Sequence, residues 1–414
     1  MAIVAVAGVI AGCGGGKDQA QPGQPQPSDA PSTPTSTKPQ KKSFDPPRSF
    51  GSGAKTVLET KDIGGGQAPV VATLADGVVY SNGQTGGKAI DALTGEQLWT
   101  VKPSLEAMTY RGESHPPVAA MDTVYFGFPV RVPGKGTTPA HPAAEVVAVD
   151  KESGKDRWRT TIDVETSDPG NVTDGVVTLV GVDDQSVVLT WYSQNFSVGN
   201  TYVVDSGSHQ VRWKKDQYLA GDVASGIVLG NAGKPSIAEE RTLQALSVTD
   251  GTEKWATKLG QYAAGIQPLS PKLVAVDKGY TSKADQTFEI EDLTTGKALY
   301  SQQIDNDFSS HTTVECFWDQ ADAIVCSVGS KVLGFDVNNV GPKPQWEIAK
   351  DSSRTPPSVT AAYHGLVYGE TQNGPLTLDA KTGKDSPDDP IIAPILVDKY
   401  VGITIKGDTH VATK

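Results

Sequence analysis

The stretch Ile90-Asp91-Ala92-Leu93-Thr94-Gly95-Glu96-Gln97-Leu98-Trp99 decides the reading of this 414-residue chain, because it comes back six times. It returns as Val149-Asp150 to Ser153-Gly154 and Trp158, then as Val204-Asp205 to His209 and Trp213, with histidine where the glycine stood. A fourth copy runs from Leu246-Ser247 through Asp250-Gly251 to Trp255, and a fifth from Asp292 through Thr295-Gly296 to Tyr300. The sixth, Asp336 to Trp346, is two residues longer and contains Gly341-Pro342; the seventh, Leu378-Asp379 to Thr382-Gly383, lacks the final aromatic. Each element has a local cause. An Asp carboxylate accepts backbone N–H groups and pins a tight turn. Glycine one residue after Thr or Ser supplies the positive φ that closes a turn with a bulge. The aromatic, eight residues beyond the Asp, then falls on the partner strand. Apolar runs such as Val146-Val147-Ala148-Val149 lead into the turns, so the unit is a β-hairpin.

A second strand pair lies upstream of most hairpins, as in the alternating Val70, Ala72 and Leu74 followed by Val78-Val79-Tyr80. Four strands per unit and turn positions at 91, 150, 205, 247, 292, 336 and 379, spaced by 42 to 59 residues, match the period of a propeller blade. The expected fold is all-β: an eight-bladed β-propeller of four-stranded antiparallel blades, with seven blades as the alternative. The eighth blade is assembled from Ile391–Leu396, Tyr400–Ile405 and His410–Ala412, and Lys55–Ile63 from the other end of the chain adds its outer strand. Mixing the two termini in one blade hides strand edges that would otherwise template aggregation. The longer early intervals hold insertions, the clearest being Pro129 to Ala144, which exceeds what blade closure requires and reads equally as a contact loop or as a tolerated surface insertion.

Composition narrows the function. With 36 Lys+Arg against 48 Asp+Glu the net charge is -12, and no basic stripe offsets it, so nucleic acid is not an expected partner. A mean hydropathy of -0.30 is too polar for a multi-span membrane protein, and the 44 Gly and 28 Pro suit a turn-rich β fold. Three cysteines are too few for a four-cysteine metal site.

The chain opens on an apolar, small-residue run ending Val9-Ile10-Ala11-Gly12-Cys13, which resembles the lipobox of bacterial lipoproteins. That resemblance implies a signal peptide over 1–13 and lipid on Cys13, anchoring the protein to a membrane surface without spanning it. No basic residue precedes the run, so the expected translation start lies upstream of Met1. Residues 14–49, rich in Gly, Gln, Pro, Ser and Thr, read as a disordered tether reaching on the order of 30–40 Å. The propeller is expected over 50–414.

The Asp-x-x-Thr-Gly-x-x-x-Trp pattern resembles the repeat of pyrroloquinoline-quinone-type β-propellers over residues 55 to 414. The resemblance implies that Trp99, Trp158, Trp213, Trp255, Tyr300 and Trp346 dock between blades. Asp91, Gly95, Asp150, Gly154, Asp205, Gly251, Asp292, Gly296, Asp336, Asp379 and Gly383 are then structural turn residues. Quinoprotein dehydrogenases of this kind add calcium, an Asp base and adjacent cysteines; no Cys-Cys pair stands in this sequence, so no cofactor, metal or enzymatic activity is expected. The six histidines show no metal-ligand spacing. Asp183-Asp184 and Asp388-Asp389 could attract a cation, but both lie in turn-like contexts.

Two readings of function follow. One is an envelope scaffold whose partner is another envelope protein, similar to the lipoprotein propeller of the outer-membrane β-barrel assembly machinery. The alternative is a ligand-binding propeller similar to the repeat domains outside bacterial Ser/Thr kinases, with a concave pocket on its axis. Finally, a turn centred on Ala321 would set Cys316 opposite Cys326 and Trp318 opposite Ile324. Facing residues at a non-hydrogen-bonded pair have Cα atoms about 4.5 Å apart, within disulfide range. An exported chain meets an oxidising compartment, so a Cys316–Cys326 disulfide is expected.

Overall fold

A computed structural model describes residues 41–58, 71–83, 86–108, 115–164, 175–193, 198–233, 240–260, 263–279, 286–304, 312–350 and 352–414. Cys13 and residues 14–40 of the tether lie outside the described residues.

The repeated turn is built as its chemistry requires. Asp91 Oδ1 accepts the N–H groups of Leu93 (2.9 Å) and Thr94 (3.0 Å), while Gly95, at φ +74°, donates its N–H to the Asp91 carbonyl. A register shift between Ala89 and Ile90 then places Trp99 opposite Ala89. The same cradle forms at Asp150 with Ser153, Asp205 with Ser208, Asp292 with Thr295 and Asp379 with Thr382. In the third copy His209 takes φ +60° in place of glycine. In the fourth, where Ser247 replaces the Asp, the Gly251 N–H still reaches the Ser247 carbonyl, and Asp250 accepts from Thr252 instead. The longer sixth turn keeps one carboxylate bond, Asn338 N–H to Asp336 Oδ1, beside a backbone bond from Asn339 N–H to the Asp336 carbonyl.

The described residues form eight antiparallel sheets. Blades 1 to 7 span 72–101, 106–163, 175–216, 218–260, 265–303, 314–349 and 358–379. Blade 8 combines Leu396–Val397, Val401–Ile403 and Asp408–Ala412 with Phe50–Thr56. Successive innermost strands touch, and Leu396–Val397 meets the innermost strands of both blade 7 and blade 1, which closes the ring. Side chains alternate across each strand, and both faces meet a neighbouring blade. Thus His141–Asp150 sends Val147 and Val149 toward Tyr80 and Ala89 of blade 1, and Val146 and Ala148 toward Leu189 and Trp191 of blade 3. That double burial explains why these strands are continuous apolar runs.

Blade closure differs in detail from the sequence expectation. The outer strand is Phe50–Thr56, beginning five residues before the expected Lys55–Ile63, of which 59–63 lie outside the described residues: Ala54 pairs with His410, Lys55 with Thr409 and Thr56 with Asp408. Phe50 fixes this register, being fully buried with its ring 6.0 Å from that of Tyr368 in blade 7. Strand pairing begins at Leu396 rather than Ile391, and the three inner segments are shorter or shifted. Residues 44–49, expected in the tether, also pack on the propeller: Phe44 N–H donates to the Lys399 carbonyl, Tyr368 Oη–H to the Pro47 carbonyl (2.6 Å), and Arg48 N–H to the Lys414 carbonyl.

Two blades depart from four strands. Pro129–Ala144 is not a loop but the far half of a long hairpin in which Thr123–Val132 pairs residue for residue with His141–Asp150; only 133–140 form its tip. The extra length carries a split inner edge, Val118–Ala120 along one part and Glu106–Ala107 along the other. Blade 7 has three strands. Its seventh repeat lacks the aromatic that would hold an outer strand, and residues 384–386 cover the edge of Gly374–Asp379 instead. Pro375 on that edge has no N–H to offer an intruding strand.

Because Phe50 couples the N-terminal strand to blade 7, Phe50→Ala should destabilise the propeller by about 3–5 kcal/mol. Urea unfolding followed by tryptophan fluorescence reads this as a lower midpoint; an unchanged midpoint would mean the closing strand is not part of the cooperative unit.

Candidate interaction site

In a four-stranded meander the turns after the first and third strands share one end. The contacts place these turns of neighbouring blades together. Lys151, in the outer turn of blade 2, pairs with Asp76 in the inner turn of blade 1 (3.6 Å). Inner turns are tied carboxylate to N–H: Asp398 to Gly77 (2.5 Å), Asp183 to Gly226 (2.5 Å) and Asp319 to Gly365 (2.8 Å). This end is the turn face; the opposite end is the loop face, from which the tip of the blade 2 hairpin projects.

The aromatic positions lock the turn face. Trp99, Trp213, Trp255 and Trp346 donate Nε1–H to the carbonyls of Lys151, Val248, Leu293 and Ala380, each directly after the Asp (or Ser247) of the next blade's turn. Their rings cover Gly154, Gly251, Gly296 and Gly383, where a Cβ would come within 2.4 to 3.0 Å of the indole. Glycine is therefore needed twice at these positions, for φ and for contact. Trp158 stacks on His209 at 4.9 Å, the imidazole replacing the bare backbone. Tyr300 differs: it is buried between Phe288 and Phe335 and its hydroxyl bonds Gln302. At the closure Lys55 takes the indole's place, its Nζ donating to the Thr94 carbonyl (3.1 Å). The turn carboxylates are spent as well. The Arg157 guanidinium and the Ser153 N–H hold Asp150 well below the usual carboxylate range, as the Ser208 N–H and Arg212 do for Asp205.

The loop face carries an open cleft of about 490 Å³ between blades 6 and 7. Lys331, Lys350 and Glu315 supply its charges, Ser358 a hydroxyl, and Pro356 and Pro357 a stiff apolar wall. Lys331 is paired with Glu347 (2.8 Å). The arrangement offers polar and apolar contacts.

Beyond Asp319 and Asp398, three further buried charge sites among the described residues escaped the sequence reading. In blade 2, fully buried Glu145 accepts from Arg159 Nη1 and the Ser104 N–H, both at 2.8 Å. In blade 5, Lys278 lies 2.5 Å from both Glu289 and Glu291, and burial raises the Glu291 carboxyl despite that lysine. In blade 4, Asp222 is 4% exposed and one carboxylate oxygen has no hydrogen-bond partner. Burial pushes it up to about 7, with the charge of Asp183 adding to the shift. It sits at an inner-strand bulge where blades 3, 5 and 7 carry Gly181, Ser270 and Ala361. A lone Asp in Leu219-Ala220-Gly221-Asp222-Val223 was the only available signal, and it reads equally as a turn.

The histidines are not brought together. His115 meets Tyr192, His141 meets Asp163, His364 meets Asp45, and His410 Nδ1 meets the Gly51 carbonyl; His311 lies outside the described residues. Asp388 is held by Arg48 and Lys414, and Asp389 accepts the Ile391 N–H. Cys316 faces Cys326 with Cα atoms 4.1 Å apart and the sulfurs joined, and Trp318 faces Ile324. A bridge across two strands does not fit the adjacent-cysteine arrangement implied for quinoprotein dehydrogenases.

The family profile described as outer membrane protein assembly factor BamB matches residues 55–231 and 144–388. Comparison with curated proteins returns no match. Similar solved structures include the quinohemoprotein alcohol dehydrogenase of Comamonas testosteroni, 12% identical with a TM-score of 0.47, covering 80% of this chain and 69% of that one. A europium-containing methanol dehydrogenase is 11% identical, covering 80% of each chain, at a TM-score of 0.44. The computationally designed Ika8 protein is 15% identical, covering 83% and 95%, at 0.49.

Two outcomes are expected here. A carboxyl whose folded pKa exceeds its unfolded value binds an extra proton in the native state, so its contribution falls as pH rises from about 4 to about 7. Asp222→Asn removes that loss: relative to wild type, the variant should gain on the order of 2–4 kcal/mol between pH 4 and pH 8. Equal pH dependence of the two urea midpoints would contradict the buried, raised carboxyl. Separately, alkylation of the denatured, unreduced chain should leave Cys316 and Cys326 unmodified in intact mass; two added groups there would show free thiols.

Proposed function

The chain belongs to the outer membrane protein assembly factor BamB family, and from that membership we propose that it is a lipid-anchored, extracytoplasmic propeller presenting an interaction face to another envelope protein. The observation that carries this reading is the family match across 55–388 in a chain whose N-terminal Val9-Ile10-Ala11-Gly12-Cys13 has the form of a lipobox. The physical arrangement supports it. The tryptophans, turn glycines and turn carboxylates are engaged within the ring, and the buried charges at Glu145 and Lys278 have partners. The scaffold role uses surface, and no group in the fold needs to be freed for chemistry.

A second reading, binding of a small polar ligand, is favoured by the cleft beside Lys331 and Lys350 alone. The first reading stands on the anchor as well. One acyl chain gives only marginal membrane binding, so stable attachment requires the multiply acylated cysteine that lipoprotein processing produces.

Cys13→Ser should therefore shift the protein from the membrane pellet to the soluble fraction and abolish incorporation of a fatty-acid label. A variant that stays membrane-bound and labelled would sink the anchor at Cys13.

A further inference from the structure

The path of residues 44–49 has a consequence for orientation, and it rests on the anchored reading above. Phe44 bonds the Lys399 carbonyl in the inner turn of blade 8. Asp45 then pairs with His364 in the inner turn of blade 7. Beyond them, Pro47 accepts the Tyr368 hydroxyl, and Arg48 meets Lys414 at the turn-face end of Asp408–Ala412 before the outer strand begins. The segment thus crosses the turn face from its inner turns outward. Phe44 packs onto the cluster of Phe50, Tyr363 and Tyr368, and two consecutive prolines, Pro46 and Pro47, restrict its backbone. Traced backward, the chain leaves the propeller at the inner turns of the turn face.

We propose that this exit point makes the turn face membrane-proximal and holds the loop face, with the hairpin tip of blade 2 and the cleft between blades 6 and 7, away from the bilayer. The reach of the tether decides it. The Gly-, Gln-, Pro-, Ser- and Thr-rich composition between Cys13 and Lys42 implies a coil, and a coil of that length has a root-mean-square span of roughly 30 Å. With the turn face toward the lipid, any short span suffices. With the loop face toward the lipid, the tether must cross the blade radially, roughly 15 Å over four strands, and then run down its flank, roughly 20 Å for a six-residue strand. That path of roughly 35 Å consumes the whole average reach before the anchor meets the surface, so far fewer chain conformations permit it. Attraction of the face itself is not invoked: of the acids in its inner turns, Asp76 is paired with Lys151 and Asp122 with Arg157, so the face offers no basic patch to anionic lipid at these turns.

The test uses the lipidated full chain in vesicles carrying a headgroup-attached energy acceptor. Glu152→Cys places a donor dye on an exposed turn-face residue, and Thr137→Cys places one on the exposed hairpin tip at the other end of the same blade. Transfer to the lipid should be at least twofold stronger from position 152. Equal transfer, or stronger transfer from 137, overturns the orientation while leaving the anchor intact. Failure of the unlabelled protein to float with vesicles overturns the anchored reading itself, and the orientation with it. Lengthening the tether with a long Gly/Ser insert should erase the difference; a difference that persists would mean that adsorption of a face, not the exit point, sets the orientation.

Discussion

Ring closure is the constraint on which the rest of the structure depends. Each blade is apolar on both faces, so an open row of blades would expose one apolar sheet face at each end. The pairing of Phe50–Thr56 with Asp408–Ala412 joins the two ends of the chain in one sheet, and Asp398 then reaches the Gly77 N–H across the seam. Everything else in the ring is local: a blade contacts the blade before and the blade after. Closure alone requires residues more than 350 positions apart to meet. This is why Phe50, in a segment of glycine, serine and alanine, is buried as completely as any residue of the central strands.

The repeated turns were legible because every part of their logic lies within ten residues. Asp, Gly and Trp each answer a local demand, and the spacing among them survives even where one is replaced, as at His209 and Ser247. The blade count followed from the same regularity. What could not be read was set by contacts between distant segments. The sequence reading places the closing strand too late, at Lys55–Ile63, because Phe50-Gly51-Ser52-Gly53 carries no strand signal of its own; β-propensity chiefly reports packing against neighbours that sequence order does not reveal. Blade 7's missing outer strand was announced only by an absent aromatic. The long hairpin of blade 2 hid behind its Pro and Gly content, which suggests a loop; Pro129 is tolerated there at the point where the inner edge passes from one short strand to another. The candidate site was less legible than the fold. The cleft is made by the meeting of two blades, and the buried acids depend on bulges and side-chain partners that carry no periodic signal.

The acidic composition acquires a structural meaning. Many of the carboxylates that give the chain its negative charge are fastened to backbone N–H groups in turns, where they replace hydrogen bonds that the backbone would otherwise make to water. Asp183, Asp319 and Asp398 go further, each tying an inner turn to the next blade. Asp222 is the counterexample within the ring: it is buried, one oxygen is unsatisfied, and the neighbouring Asp183 discourages its ionisation.

The two faces consequently differ in how freely their residues can change. On the turn face, a substitution at Gly154 or Gly251 strikes an indole of the preceding blade, and a substitution at Asp150 or Asp205 frees the N–H groups of a turn and removes one partner of an arginine. Such changes act on folding before they act on recognition. Among the described residues the loop face has fewer such obligations: the hairpin tip at 133–140 is mostly exposed, and the walls of the cleft at Ser330, Lys350 and Thr355 are solvent-facing. A propeller locked at one end by its own repeat is free to vary at the other. Specificity for a partner can therefore reside on the loop face without disturbing the Trp-on-Gly contacts that hold the blades together.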